Sequence, residues 1–549
     1  MPNSSFIHTK NSIALVPGAG YLRDGLGRVI HKTPLFEIYH GKFVLELIIE
    51  SLREAGFSRI AFAASEESSE FIPLAKIIFR RYLGAEIEIF TVKGGHDFFF
   101  STLMHLVSNV KQHPDMPVAL YLGDTVLNLP KPDSDLWTQN FYCVVELKHQ
   151  DSRYQQTPNS QTKAAAGFYF WRHFNEFKRE LIEKKDGNIN LILDLYGSSI
   201  VQTFNIQSWV DLGNSAYQAN FQSNMTPSRA FNTILVDEKK GIVLKKSSNL
   251  KKLKNEISFY KNLPNDLKYL FPRIFNLDEI GDDQETSVQM EFFPSRSLAD
   301  IWFSNLNFHE VWEDIFSRIF EILNCEFSQF IQKDKVSFNK VVKENLIGRT
   351  QELIEVLQLE NLISGKVKIN GLLIRDFWLL VDEVLDWISD SDSSPNQIMH
   401  GDLCLSNILI EESTLLIRLI DPRGSFGSTS IFGSKLYDIA KLCHSVFGGY
   451  DHLVRDIFSL KQKDFDYDLV IPFSNGQRIV QKIFESKLVE NGISYHKGIL
   501  LSGLMLSSIP IFHMENWDRA RAMFVRGIYQ MELGLQSVSK MNQESNSRP

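Results

Sequence analysis

From residue 13 to residue 206, short apolar runs alternate with segments of helical period. IALVPG, IAFAAS, IEIFTV, VALYLGD and CVVELK are brief and β-rich, which predicts strands; VLELIIESLREAG repeats its apolar positions every three to four residues, which predicts a helix with one buried face. Strands separated by helices predict a parallel, doubly wound α/β sheet. Residues 218–229, QANFQSNMTPSR, are polar, carry a proline and lack a period, and so read as a linker. They place a domain boundary near Met225, giving domains 1–225 and 226–549. After it, TILVDEKKGIVLKK predicts a hairpin, KLKNEISFYKNL a helix and SVQMEFF another strand: a small, mostly β lobe over about 226–297. From about 298 to 549 the period is mainly helical, interrupted by SDSDSSPNQ and by two short apolar strands around an HGD segment. The second half is therefore expected to be α+β and bilobal.

Composition narrows the partners. A chain of 549 residues exceeds what one core usually organises. The net charge of −8 comes with no Lys/Arg-rich block, so small molecules and nucleotides are expected as partners, and nucleic acid is not. Cys143, Cys325, Cys404 and Cys443 lie far apart, without the paired spacing of a zinc site or the density of a disulfide scaffold, which fits free thiols in a reducing cytoplasm. The longest apolar stretch, about 500–512, is broken by Ser and Pro, so no membrane insertion is expected. Oligomeric state stays open.

The candidate chemistry of the second half lies in two segments. MHGDLCLSNILI (399–410) sets Asn407 five residues after Asp402, and IRLIDPRGSFG (417–427) ends an apolar run at Asp421. Phosphoryl transfer needs a carboxylate at the attacking hydroxyl and oxygen ligands for the magnesium that neutralises the phosphates. An Asp followed by an Asn at this spacing, on a loop entering a strand, provides a base and a metal ligand together. Asp402 is thus the candidate base, and Asn407 and Asp421 are the candidate metal ligands. H-G-D-x-x-x-x-N-I-L, then I-D-P-R-G, then YDIAKL, resembles the aminoglycoside phosphotransferase and choline kinase superfamily over roughly the last three hundred residues. The resemblance implies a protein-kinase-like fold, ATP as donor, a hinge near 290–293, and a lysine on the phosphates with a glutamate to position it. VLKKSS offers Lys245 and Lys246; the family's lysine precedes a small polar pair, here Ser247 and Ser248, which selects Lys246, with Glu256 as its partner. Asp438 is expected to bond the HGD loop, and Cys404 to fill space.

In the first half, IALVPGAGYLRDGLGRVIHKTPL runs from a strand into a glycine-rich loop holding Gly18, Gly20 and Arg23, with Lys32 beyond. Backbone N–H groups of such a loop cradle a triphosphate, while Arg and Lys neutralise a departing pyrophosphate. Asp124 follows a strand and Asp211 opens a later turn, and two carboxylates at strand ends suit a magnesium–triphosphate site. P-G-A-G-Y-L-R, H-K-T-P, L-G-D (122–124), A-G-F-Y (166–169) and W-V-D-L-G (209–213) resemble, in order, the sugar-phosphate nucleotidyltransferases over about two hundred residues. That resemblance implies a Rossmann-like domain with Arg23 and Lys32 as catalytic cations, Asp124 and Asp211 on magnesium, and a second NTP as substrate. The departures are His31, Thr33 and an arginine one place late. Glu146 at the phosphorylated substrate and Gly94–Gly95 near the base are weaker carry-overs.

Together the two halves imply a bifunctional enzyme. It would phosphorylate a small hydroxyl compound (sugar, amino alcohol or polyol) with ATP, then couple the product to a nucleoside monophosphate, as in capsule or surface-polysaccharide precursor synthesis. The alternative is a small-molecule kinase with a degenerate, nucleotide-sugar-binding regulatory domain.

Overall fold

The computed structural model describes residues 12–18, 22–23, 29–30, 34–39, 42–93, 99–111, 116–146, 163–183, 192–196, 199–206, 209–211, 232–237, 240–247, 249–278, 286–304, 309–333, 336–389, 395–411, 414–427 and 431–546. The chain divides into two compact units, Met1–Met225 and Thr226–Pro549.

The first unit is built on a seven-stranded sheet: β1 (Ile13–Pro17), β2 (Arg59–Ser65), β3 (Glu86–Val92), β4 (Val118–Tyr121), β5 (Asn140–Glu146), β6 (Lys163–Trp171) and β7 (Val201–Asn205), in spatial order β7-β5-β6-β4-β1-β2-β3. Helices cover both faces because the strands are apolar on both. On one face α3 (Phe99–Asn109) and α4 (Phe174–Glu183) bury Leu103, Leu106, Phe174 and Phe177 with Ile13, Leu15, Val118 and Leu120. On the other, α1 (Val44–Glu54) buries Val44, Leu45, Ile48 and Ile49, α2 (Ile72–Phe79) stacks Phe79 on Phe62, and Trp137 meets Phe57, Phe141, Phe168 and Phe170 edge-on.

The expected all-parallel sheet is corrected here: the sheet is mixed. β1, β2, β3 and β4 are parallel neighbours, but β6 runs antiparallel to both β4 and β5. The sequence between β5 and β6, LKHQDSRYQQTPNSQT, has no helical apolar period that would suit a crossover helix. A strand that returns without a crossover lies antiparallel to its predecessor.

The second unit opens with a four-stranded antiparallel sheet, β8 (Asn232–Asp237), β9 (Ile242–Ser247), β10 (Ile274–Asp278) and β11 (Thr286–Glu291), in order β8-β9-β11-β10. Helix α5 (Leu250–Asn262), capped by the Asn249 side chain on the Lys252 N–H, packs Leu253 against Val288 and Met290. The helical remainder includes α6 (Phe338–Leu357), α7 (Lys435–Val446), α8 (Tyr495–Ser507) and α9 (Trp517–Asn546), with β12 (Ile408–Glu411) and β13 (Leu416–Leu419) forming a hairpin among them. Among the described residues no helix is long and apolar enough to cross a membrane.

Candidate active sites

In the second unit, buried hydrogen bonds hold the HGD loop rigidly. Asp438, in the first turn of α7, is fully buried and accepts from the backbone N–H groups of His400 (2.8 Å) and Gly401 (2.7 Å). This is the structural role expected of it. Burial pushes its carboxyl up to about 7 against the pull of those two donors. His400 joins the two motif segments: its Nδ1 accepts from the Asp402 N–H (3.2 Å) and its Nε2–H donates to the Ile420 carbonyl (2.9 Å), next to Asp421. The Asn407 carbonyl accepts from the Ile420 N–H at 3.0 Å, tightening the same junction. Cys404 is buried, and burial pushes its thiol up to about 12, so it packs as an uncharged group.

Asp402 and Asn407 sit on this frame. Asn407 Nδ2 donates to the Asp402 carbonyl at 2.8 Å, which leaves its Oδ1 as the acceptor for a cation. The Asp402 carboxylate receives Lys441 Nζ, from α7, at 2.9 Å. Asp421 adopts φ +58°, a left-handed conformation that Asp tolerates better than most residues. Its carboxylate takes Lys245 on one oxygen and Lys252, at 3.3 Å, on the other.

Of the two lysines it is Lys245, not the expected Lys246, that pairs with Glu256. In β9 consecutive side chains point to opposite faces, and Lys245 is the one turned inward, with its Nζ 2.7 Å from Glu256 on α5. Burial disfavours its charge, but Asp421 and Glu256 outweigh that penalty and raise its pKa. The small polar pair after the doublet cannot report this, because facing depends on strand parity.

A cleft of about 400 Å³ opens beside Asp402, with Arg349, Arg423, Tyr437, Lys441, Ile509 and Phe512 in its walls. The Arg423 guanidinium bonds the Tyr437 hydroxyl and lies 5.3 Å over that ring. Arg349, from α6, donates to the Ser508 carbonyl and to Asn345 Oδ1, each at 3.0 Å, above the Phe512 ring. Burial raises the Tyr437 hydroxyl and Asp402 adds to that, yet Arg423, Lys441 and Arg349 together bring it below its ordinary value. Sequence reasoning quoted Arg423, Tyr437 and Lys441 inside motifs without giving them roles. It missed Arg349, which occupies an ordinary helix position. Trp302 and Trp312 meet edge-on in the core, and no tryptophan among the described residues lines the cleft.

In the first unit Gly18 and Asp124 lie where β1 and β4 end. Gly18 and Gly123 meet backbone to backbone: a Cβ on Gly123 would lie 2.7 Å from the Gly18 Cα, and one on Gly18 would strike the Leu35 side chain. Asp124 follows directly. The Trp209–Asp211 strand pairs antiparallel with Thr125–Leu127, setting Asp211 opposite Thr125 and so beside Asp124 in register. Trp209 Nε1 donates to the Ala166 carbonyl (3.1 Å), fastening that strand to β6. Arg23 belongs to a ribbon pairing Leu22–Arg23 with Val29–Ile30. Gly20, Lys32, Gly94 and Gly95 lie outside the described residues. Glu146 is exposed at the end of β5.

The oxygen donors in both places suit a hard cation. Among the described residues no group of three or more His, Cys, Asp or Glu could hold a metal. Magnesium held by one or two carboxylates takes its other oxygens from phosphates and water.

No family model and no curated protein matches the chain. Among solved structures, HddC from Yersinia pseudotuberculosis is similar at 14% identity, with 38% of this chain and 97% of that one covered and a TM-score of 0.28. The same protein complexed with GMP-PN gives 12% and 0.29 over 38% and 97%. The inositol-1-phosphate CTP transferase from T. maritima gives 14% and 0.27 over 38% and 91%. Likenesses at these scores decide neither fold nor chemistry.

Proposed function

We propose that the second unit, protein-kinase-like in design, transfers the γ-phosphoryl group of ATP to the hydroxyl of a small molecule, and that the first is a nucleotidyltransferase acting on the phosphorylated product. The observation that carries the first part is the Lys245–Glu256–Asp421 cluster, its lysine and glutamate buried, joined through His400 to Asp402. The acceptor oxygen bonds to the γ-phosphorus as the bond from that phosphorus to the β–γ bridging oxygen breaks; the hydroxyl proton passes to Asp402, and ADP leaves. Lys245, positioned by Glu256, binds the phosphates. Asn407 and Asp421 would hold magnesium, which neutralises phosphate charge when bound.

In the first unit, glycine-lined backbone at the ends of β1 and β4 binds a second NTP. The substrate's phosphate oxygen bonds to the α-phosphorus, and pyrophosphate leaves toward Arg23 and Lys32. Asp124 and Asp211, adjacent in register, would hold magnesium there. The product is an NDP-activated building block of the kind consumed in surface-polysaccharide assembly.

A panel of sugars, amino alcohols and polyols, incubated with ATP and then with each NTP plus pyrophosphatase, tests this. One acceptor is expected to give ADP that Asp402→Ala abolishes, and phosphate from one NTP that Asp124→Ala abolishes. ADP without pyrophosphate release from any NTP would reduce the first unit to a nucleotide-sugar-binding module.

A further inference from the structure

The cleft beside Asp402 is lined by five cationic side chains (Lys251, Lys252, Arg349, Arg423 and Lys441) and one carboxylate, Asp402. Two of the cations are already matched: Lys441 by Asp402 and Lys252 by Asp421. Among the described residues no carboxylate forms an ion pair with Arg349 or Arg423, although both are half-buried; burial, with Arg423 beside it, holds the Arg349 guanidinium below its ordinary value against the pull of Tyr437 and Asp402. Neighbouring guanidinium groups are costly to bring out of water together unless an anion joins them. Each is also held for recognition. Arg349 spends two N–H groups on Ser508 and Asn345, and Arg423 spends one on Tyr437, leaving several donors of each fork unspent. Ile509, Phe512 and the ring of Tyr437 give the same cleft apolar surface for a carbon skeleton. Arg349 hangs from α6 and is fixed by the loop after α8, neither of which bonds Lys245, Glu256 or Asp421, so it is not part of the cluster read as the ATP site.

We infer that the acceptor phosphorylated at Asp402 carries an anionic group, a phosphate ester or a carboxylate, gripped by Arg349 and Arg423. This rests on the kinase reading and reverses the charge expected of a choline or aminoglycoside acceptor. Its product would carry two anionic groups, and the reaction supplying the substrate must itself phosphorylate or oxidise a sugar or polyol.

Calorimetry on the full chain tests the assignment. Protein saturated with magnesium and AMP-PNP is titrated with inorganic phosphate, glucose 6-phosphate, glucuronate, glucose and choline. The phosphates or glucuronate should bind at least tenfold more tightly than glucose or choline, and which of them binds separates ester from carboxylate. Arg349→Gln and Arg423→Gln should each weaken that binding at least tenfold while AMP-PNP affinity is kept. Because Arg349 also anchors Ser508, Arg423→Gln and the loss of wild-type anion affinity with rising salt are the independent readings. Tighter binding of choline or glucose, anion binding that neither variant alters, or anion binding that vanishes once AMP-PNP is present would each overturn the inference, the last by giving the cations to the triphosphate. If AMP-PNP itself does not bind, the kinase reading falls. The anion site then stands or falls on the same variants titrated without nucleotide.

Discussion

Lys245 and Lys246 share a chemistry and differ only in the face of β9 they occupy. Lys245→Met is therefore expected to cut ADP formation by about a hundredfold or more, as loss of a charge-stabilising donor does, while Lys246→Met stays near wild type; comparable losses in both would remove the assignment. Whereas Glu256 rests only on the helix that follows the lysines, Asp402, Asn407 and Asp421 were legible as candidates because their spacing along the chain is itself the signal. The lysine was not, since parity in a strand is set by pairing partners. Arg349 carried no signal at all: its importance comes from what α8 and its following loop bring to it. His400 makes a second prediction. Burial lowers it to about 4, and with Nδ1 accepting and Nε2–H donating it is satisfied only when neutral. Between pH 6.5 and 4 the unfolded chain takes up a proton that the folded one refuses, so this residue's contribution is whole above pH 6.5 and fades as pH falls toward 4. The stability difference between wild type and His400→Gln, from urea unfolding, should shrink by about 3 kcal/mol at most over that range. A pH-independent difference would show that His400 does not titrate this way.

At the scale of elements, α5 lies close against the segment after β13 at one glycine, beside the Lys252–Asp421 and Asn255–Ser425 contacts. Gly424 has φ +69°, and a Cβ there would meet the Asn255 carbonyl oxygen at 2.0 Å, one residue before Glu256. Gly424→Ala should push α5 away and loosen the Glu256–Lys245 pair. Strain at such a φ alone costs on the order of 1–3 kcal/mol. A lowered melting temperature together with a raised KM for ATP is the expected result; a lowered melting temperature with unchanged KM would mean that α5 does not control the lysine. The strands predicted from IALVPG, IAFAAS, IEIFTV, VALYLGD and CVVELK are present, at 13–17, 59–65, 86–92, 118–121 and 140–146, because each is a brief apolar run. β6 was quoted for its A-G-F-Y and not read as a strand, since a continuous KAAAGFYFW shows no alternation to betray its period. Its antiparallel direction depends on how the chain returns, which local pattern does not encode. β10 was missed for a different reason: it is a five-residue edge strand whose pairing with β11 is irregular near Ile274.

For the whole molecule, the two units keep separate sheets and separate cores. Substitutions at Asp402 and at Asp124 should accordingly act one activity at a time, and a chain carrying both should lose both. Carrying them on one polypeptide has a consequence for supply and demand. Two enzymes made from separate messages drift in abundance, and the compound between them pools or runs short accordingly. Under the proposed function every molecule synthesised delivers one copy of each unit, so the level of the compound between them would be set by the ratio of two turnover rates, which selection can tune by substitution but gene dosage cannot disturb.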